Sequence, residues 1–168
     1  MNANRPKINV PFQSIDILIE LLSITLLLLM WIYLILEYQS LPEIIASHFN
    51  ANGKADGFSN KLTLWLLPII STIIYIGLFI LNKFPHIHNY MVNITEDNAL
   101  NNYRFSTKVL RITNFLSASL FTYLVYSEIQ FSKGKVESLG SWFLPIVIGV
   151  SIILPIILII YQRKINKL

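Results

Sequence analysis

The chain has no cysteine and little charge. Only 13% of its 168 residues are charged, and 54% are hydrophobic, whereas about a quarter of the residues in a typical soluble domain are charged. A soluble domain of this size exposes too much of its surface to hide so many apolar side chains from water. The composition therefore excludes an ordinary soluble globular protein. The absence of cysteine excludes disulfides, thiolate metal ligands and cysteine nucleophiles.

Hydrophobic residues are concentrated in four uncharged runs. The runs contain 16, 21, 16 and 25 residues and cover Leu21–Leu36, Leu62–Asn82, Ile112–Ser127 and Ser138–Gln162. A helix needs roughly 20 residues to cross a hydrocarbon core about 30 Å thick. The two shorter runs reach this length when Glu20 or Arg111 lies at headgroup depth. We therefore predict an all-α membrane protein with four transmembrane helices and one integral membrane domain over residues 1–168. The first helix is expected to be an uncleaved anchor.

The distribution of Lys and Arg predicts the orientation of the four helices. Nine of these residues lie at the two chain ends and in the middle loop: Arg5, Lys7, Lys83, Arg104, Lys108, Arg111, Arg163, Lys164 and Lys167. Four lie in the other two loops: Lys54, Lys61, Lys133 and Lys135. By the positive-inside rule both termini are cytoplasmic, which predicts a multi-pass protein of the inner (plasma) membrane. We attribute the net charge of +4 to these flanking residues and not to nucleic-acid binding.

The segment between the first two runs contains the densest set of polar and turn-forming residues. Pro42 ends the first helix, and the Asn52-Gly53 and Asp56-Gly57 pairs are typical of turns. Apolar residues alternate with polar ones here, which a freely solvated linker would not need. We therefore predict an ordered extracytoplasmic loop that packs on the bundle.

These residues resemble a known family. The Leu-Pro-Glu, His-Phe-Asn and Gly-Lys-Ala-Asp segments are similar to the domain of unknown function at the N-terminus of SdpI-type immunity proteins. The resemblance covers residues 15–82, and residues 83–168 form a companion two-helix region. It implies a bacterial multi-span protein whose partners are a secreted antimicrobial peptide or a cytoplasmic regulator. The residues that carry it are Pro42, His48, Asn50, Gly53, Asp56, Lys61 and Pro68.

Three interpretations of the outer loop are open. The first is a recognition site for a peptide or envelope ligand, formed by His48, Asn50, Asp56 and Lys61, in which Asp56 and Lys61 can pair. The second is a metal or catalytic site with His48 and Asp56, although metal sites usually need three or four protein ligands. The third is purely structural, with turns and one surface ion pair worth about 0 to 1 kcal/mol.

The sequence favours a non-enzymatic membrane protein that holds no metal or other cofactor. We predict no catalytic residues, because acid, base and nucleophile do not converge in one segment. The alternative is a small transporter or a membrane-embedded enzyme. A transporter pathway needs several charged groups deep in the membrane, and the four runs contain none.

The second loop and the third run carry further polar residues. His86 and His88 follow Pro85, and we interpret them as solvated. Thr95 is a predicted helix N-cap. The spacing of Arg104, Lys108 and Arg111 places three cations on one helical face, which predicts contact with anionic headgroups of the bilayer. The third run is the most polar of the four, so we expect it to lie inside the bundle.

Overall fold

A computed structural model describes residues 5–166 and contains four long helices. They are α1 (Ser14–Glu37), α2 (Leu66–Leu81), α3 (Glu96–Ser132) and α4 (Phe143–Ile165). Short 3₁₀ turns at Tyr38–Ser40 and Lys61–Trp65 lengthen α1 and α2. With these turns all four helices are long and apolar enough to cross a membrane, which confirms the predicted multi-pass architecture. The cytoplasmic location of the termini stays a prediction, and Lys167, which the Lys and Arg count included, lies outside the described residues.

Helix α3 is the centre of the bundle and packs against both α1 and α2. Its Asn114 side chain donates a hydrogen bond to the Tyr75 carbonyl of α2 at 3.2 Å. Its Thr122 hydroxyl donates to the Leu26 carbonyl of α1 at 3.3 Å. The third span is therefore buried in the bundle, as its polar composition predicts, since such groups are satisfied by neighbouring helices and not by lipid. Helix α4 packs only lightly on α3, and none of its described side chains is buried.

Both described chain ends lie at one end of the bundle, which we name the termini end. There the Arg5 guanidinium donates to the backbone carbonyls of His86 and His88. The Tyr103 hydroxyl of α3 donates to the Pro6 carbonyl at 2.9 Å. Thr95 begins α3 in a capping box with Asn98, so the predicted N-cap is confirmed. The even number of spans explains why both ends meet here.

An antiparallel β-hairpin lies at the opposite end, which we name the hairpin end. It consists of β1 (Ile44–Phe49) and β2 (Ala55–Asn60) and joins α1 to α2. The all-α prediction therefore missed two strands. The predicted turn at Asn52-Gly53 is confirmed, because Gly53 has a φ of +73°. The second predicted turn is wrong: Asp56 and Gly57 lie inside β2.

A hydrophobic cluster fastens the hairpin to the bundle. From the connecting segment and β1 it includes Leu41 and Ile45, which are 4% and 2% exposed. Removing a Leu or Ile side chain of this kind from water contributes about 1.5 to 3 kcal/mol. The rest of the cluster comes from three helical segments and consists of Leu27, Met30, Leu34, Leu64, Val125 and Ile129.

Candidate functional site

The side chains of His48 and Asp56 form a hydrogen-bonded pair on the exposed face of the hairpin. Nδ1 of His48 lies 2.5 Å from Oδ1 of Asp56, and the two side chains are 72% and 44% exposed. The strand register explains the pair, because His48 is opposite Gly57, the residue after Asp56. The predicted pairing of Asp56 with Lys61 is therefore wrong, since Lys61 follows the end of β2.

Gly57 is required for this arrangement. A Cβ atom added at Gly57 would lie 2.8 Å from the Cβ of His48, closer than real Cβ contacts. The ladder is irregular on both sides of His48, as at β-bulges, which re-aim side chains. β2 can approach His48 this closely because Gly57 has no side chain. The close approach fixes the position of the imidazole on the hairpin.

Asn50 and Gly53 build the hairpin turn. The Asn50 side-chain oxygen accepts hydrogen bonds from the backbone N–H groups of Asn52 and Lys54 at 2.9 and 3.1 Å. The Gly53 carbonyl accepts from the Leu139 N–H at 2.9 Å, which ties the turn to the loop between α3 and α4. The side-chain oxygen of Asn50 is thus already used, and its role in the described fold is to hold the turn.

Lys61 is also committed to the scaffold. Its ammonium pairs with Glu43 at 2.9 Å, donates to the Leu41 carbonyl at 3.3 Å and lies 5.3 Å from the centre of the Tyr38 ring. Only 15% of the Lys61 side chain is exposed. Lys61 therefore closes the base of the hairpin and is separate from the His48–Asp56 pair.

The two prolines of the sequence motif have different positions. Pro42 is exposed between the first 3₁₀ turn and β1. Pro68 is buried in the first turn of α2, where a missing N–H leaves no intrahelical bond unmade. Its carbonyl accepts a hydrogen bond from the Thr72 hydroxyl at 2.7 Å. Both prolines shape the segments that carry the hairpin.

Apolar side chains flank the ion pair on the exposed face. Ile44 and Phe58 are 58% and 62% exposed although they lie in regular strands. On the other side of His48 a groove of about 280 Å³ runs towards Leu139 and Phe143. The sheet contains two strands among the described residues, so each strand has one edge without a strand partner. A hydrogen-bonded polar pair, exposed aromatic surface and strand edges without a strand partner are thus gathered on one anchored hairpin.

Arg111 is buried between α3 and the first turns of α1. It is 7% exposed, and its guanidinium contacts Asp16 at 3.6 Å and Glu20 at 3.3 Å, both on α1. The Phe12 ring lies over it at 4.5 Å. The predicted headgroup contact of Arg111 stays a prediction. In the described bundle its guanidinium faces two acids of α1 that are four residues apart.

The other two cations of this face remain at the termini end. Lys108 donates a hydrogen bond to the Gln13 side chain at 2.8 Å, and Arg104 lines a cleft beside α4. Their predicted contact with headgroups stays a prediction. The three cations thus share a helical face in the sequence pattern but have different environments in the bundle.

Glu128 is a buried carboxyl that the sequence analysis missed. It is 9% exposed and lies one turn from the hairpin end of α3. Its side chain has no hydrogen-bond or ion-pair partner within residues 5–166. Burial in the bundle therefore extends beyond the third uncharged run to a carboxyl that borders it. The signal in the sequence was weak, because Glu128 directly follows the third uncharged run and could have been a flanking residue.

His88 is buried, so its interpretation as a solvated histidine is also wrong. Nε2 donates to the Leu81 carbonyl at 3.0 Å, and Nδ1 lies 3.0 Å from the Ser106 hydroxyl. Burial lowers the pKa of His88, against the opposing effect of the Leu81 hydrogen bond. This imidazole joins α2, the loop and α3. Across residues 5–166 no three His, Asp or Glu side chains converge as metal ligands do.

Comparisons with known proteins place a recognised domain over the hairpin. An uncharacterized protein of Archaeoglobus fulgidus is 34% identical over 71 residues, which are 41% of this chain and 39% of that protein. The chain thus spans about two fifths of the length of this curated relative. No solved structure matches. Residues 25–72 match the model of a domain of unknown function (DUF1648). The resemblance inferred from the sequence is therefore confirmed, and the chain carries, from α1 through the hairpin into α2, the domain of unknown function that is found in SdpI-type proteins.

Proposed function

We propose that this protein is a non-enzymatic membrane receptor that recognises a secreted peptide at the hairpin end, in the manner of SdpI-type immunity proteins. The observation that carries the proposal is the exposed His48–Asp56 pair, displayed on a hairpin fastened to the bundle. A purely structural ion pair at this exposure contributes about 0 to 1 kcal/mol to stability. So small a contribution to the stability of the fold does not explain the constrained geometry around Gly57.

The chemistry of the hairpin suits a peptide ligand. An extended peptide can add to an unpaired strand edge through backbone hydrogen bonds, while side-chain pockets supply specificity. Phe58 offers exposed aromatic surface, and aromatic side chains are typical anchors of binding interfaces. His48 and Asp56 add polar groups whose positions are held by the strands. Such preorganisation lowers the conformational cost of binding.

Protection against secreted membrane-active peptides tests the proposal. The intact chain is expressed in a peptide-sensitive bacterium, and survival is measured against a panel of such peptides. We expect protection against at least one peptide, and its loss in the His48→Ala, Asp56→Asn double variant at unchanged membrane abundance. Gln39→Ala, at an exposed residue of the same end, is the matched control and should protect fully. Full protection by the double variant would overturn the assignment of the hairpin.

A small transporter is the second candidate, and the buried charged groups favour it. Asp16, Glu20, Arg111 and Glu128 all lie within helices that can cross the membrane. Ionisable residues inside a membrane often mark ion or proton pathways. Proton flux into vesicles that contain the purified chain tests this function. Flux that Glu128→Gln abolishes would favour transport, and no flux above that of empty vesicles would exclude proton transport.

A further inference from the structure

An open cleft separates α3 from α4 at the termini end. Its volume is about 660 Å³, and its walls come from the first turns of α3 and the last turn of α4. The two helices meet here through two contacts. The side chains of Asn102 and Asn166 exchange hydrogen bonds of 3.0 and 3.2 Å, and the rings of Phe105 and Tyr161 lie 5.4 Å apart. No described side chain of α4 is buried, so this helix leaves the cleft open.

Two cations line the cleft with unused hydrogen-bond donors. Arg104 makes no side-chain hydrogen bond or ion pair to any residue that the structure describes, and its Nε atom is buried without a partner. Lys108 lies one turn further along α3 and donates one hydrogen bond, to Gln13. An ammonium group has three protons, so two remain for a ligand. A guanidinium and an ammonium side by side form a recognition unit for a phosphate group.

The remaining walls of the cleft match the two parts of a phospholipid. The side-chain amide of Asn101 makes no hydrogen bond within residues 5–166 and lines the cleft together with the Asp97 carboxylate. These groups can bind headgroup hydroxyls. The Phe105 and Tyr161 rings supply apolar surface for the glycerol backbone and the start of an acyl chain.

We propose that this cleft is a binding site for an anionic phospholipid with a hydroxylated headgroup, whose phosphate is bound by Arg104 and Lys108. Basic pockets between transmembrane helices are recurrent sites for such headgroups. The proposal excludes Arg111, which is neutralised by Asp16 and Glu20. It is independent of the function proposed for the hairpin end.

Lipid binding to the purified full chain tests this site. Native mass spectrometry in detergent measures binding of phosphatidylglycerol, with phosphatidylcholine as the comparison lipid. We expect Arg104→Gln, Lys108→Gln to weaken phosphatidylglycerol binding at least tenfold. The matched control, Arg163→Gln, Lys164→Gln, also removes two cations from the termini end and should change binding less than twofold. Arg104→Lys, Lys108→Arg keeps both charges and should restore most of the affinity.

Three outcomes would overturn the proposal. Equal losses in the two Gln double variants would show general surface attraction and no site. Undiminished binding in Arg104→Gln, Lys108→Gln, with helicity unchanged by circular dichroism, would show that these cations do not bind the lipid. Displacement of the lipid by millimolar inorganic phosphate or glycerol phosphate would identify a site for free phosphate. Retained binding in their presence supports the lipid as the ligand.

Discussion

Removal of the Arg111 guanidinium should destabilise the bundle more than the loss of any exposed cation. Arg111 contacts Asp16 at 3.6 Å and Glu20 at 3.3 Å, and all three side chains are largely buried. At an effective dielectric constant of about 20, each contact has a Coulomb energy of about 5 kcal/mol at these distances. The cost of desolvating the charges offsets much of this energy. The Arg111→Met variant loses the attraction but keeps two buried carboxylates, so we expect a cost of about 3 to 5 kcal/mol.

Reversible unfolding of the purified protein in mixed micelles measures this difference. The matched control is Arg163→Met, because Arg163 is exposed in the last turn of α4, and its loss should cost less than about 0.5 kcal/mol. A cost for Arg111→Met as small as that of the control would refute the argument from burial.

A triple variant separates the ion cluster from simple packing of the arginine side chain. Combining Arg111→Met with Asp16→Asn and Glu20→Gln removes every charge of the cluster. The Asn replacement can still accept the Gln13 backbone hydrogen bond that begins α1. Replacing a complete buried ion cluster by neutral groups is often close to neutral. We therefore expect the triple variant to be more stable than Arg111→Met alone. A triple variant that is less stable than Arg111→Met would show that the two carboxylates do not destabilise the bundle when Arg111 is absent.

Four further results are expected. Burial lowers the pKa of His88, so the unfolded chain binds its proton first, and stability should fall as the pH drops below about 6.5; thermal melts of the wild type and His88→Gln at pH 7.5 and 5.5 measure this slope. Gly57→Ala should loosen the hairpin, because the new Cβ would lie 2.8 Å from His48 Cβ, and limited proteolysis detects it. Glu128→Gln should raise the melting temperature, because it removes the cost of burying a carboxyl group that can ionise and has no partner among the described residues. A reporter fused after Leu168 should be active only in its cytoplasmic form.

Each of these four expectations has a result that contradicts it. The pH slope would be unchanged in His88→Gln if another group caused it. Proteolysis of Gly57→Ala at the wild-type rate would mean that β2 moves to accept the side chain. A lower melting temperature of Glu128→Gln would indicate that the carboxylate has a stabilising role. A fusion active only outside the cytoplasm would reverse the orientation derived from Lys and Arg.

The helices could be predicted from the sequence because their signal is local. Long uncharged runs have few alternatives in a chain of this composition, and a polar third run must face other helices. The hairpin was harder to predict. The Asp56-Gly57 pair has the composition of a turn, yet it lies inside β2. In the sheet Gly57 pairs with His48 of β1, so the chain continues as a strand at this point. Cross-strand register depends on contacts that composition does not contain.

Charged residues near the span edges were the least predictable. Arg111 and Glu128 both border the same uncharged run, so the sequence allowed both to lie at headgroup depth. In the bundle both are buried, one beside two acids and one without a partner among the described residues. The helix that faces a flanking charge decides which of these two environments surrounds it. Asp16 and Glu20 belong to α1, nearly a hundred residues before Arg111 in the chain, so local sequence patterns could not reveal the pairing.

The recognised domain does not contain everything that supports its own hairpin. The family match ends at residue 72, whereas Val125 and Ile129 of α3 belong to the cluster that buries Ile45. The Phe131 ring packs edge-on against Phe49 of β1 at 5.6 Å. The backbone N–H of Leu139 holds the turn from a loop later still in the chain. Because an isolated two-stranded hairpin is only marginally stable in water, the geometry of the His48–Asp56 pair depends on residues outside the matched domain. Substitutions in α3 should therefore alter the geometry of the His48–Asp56 pair, and with it the recognition that we propose for the hairpin.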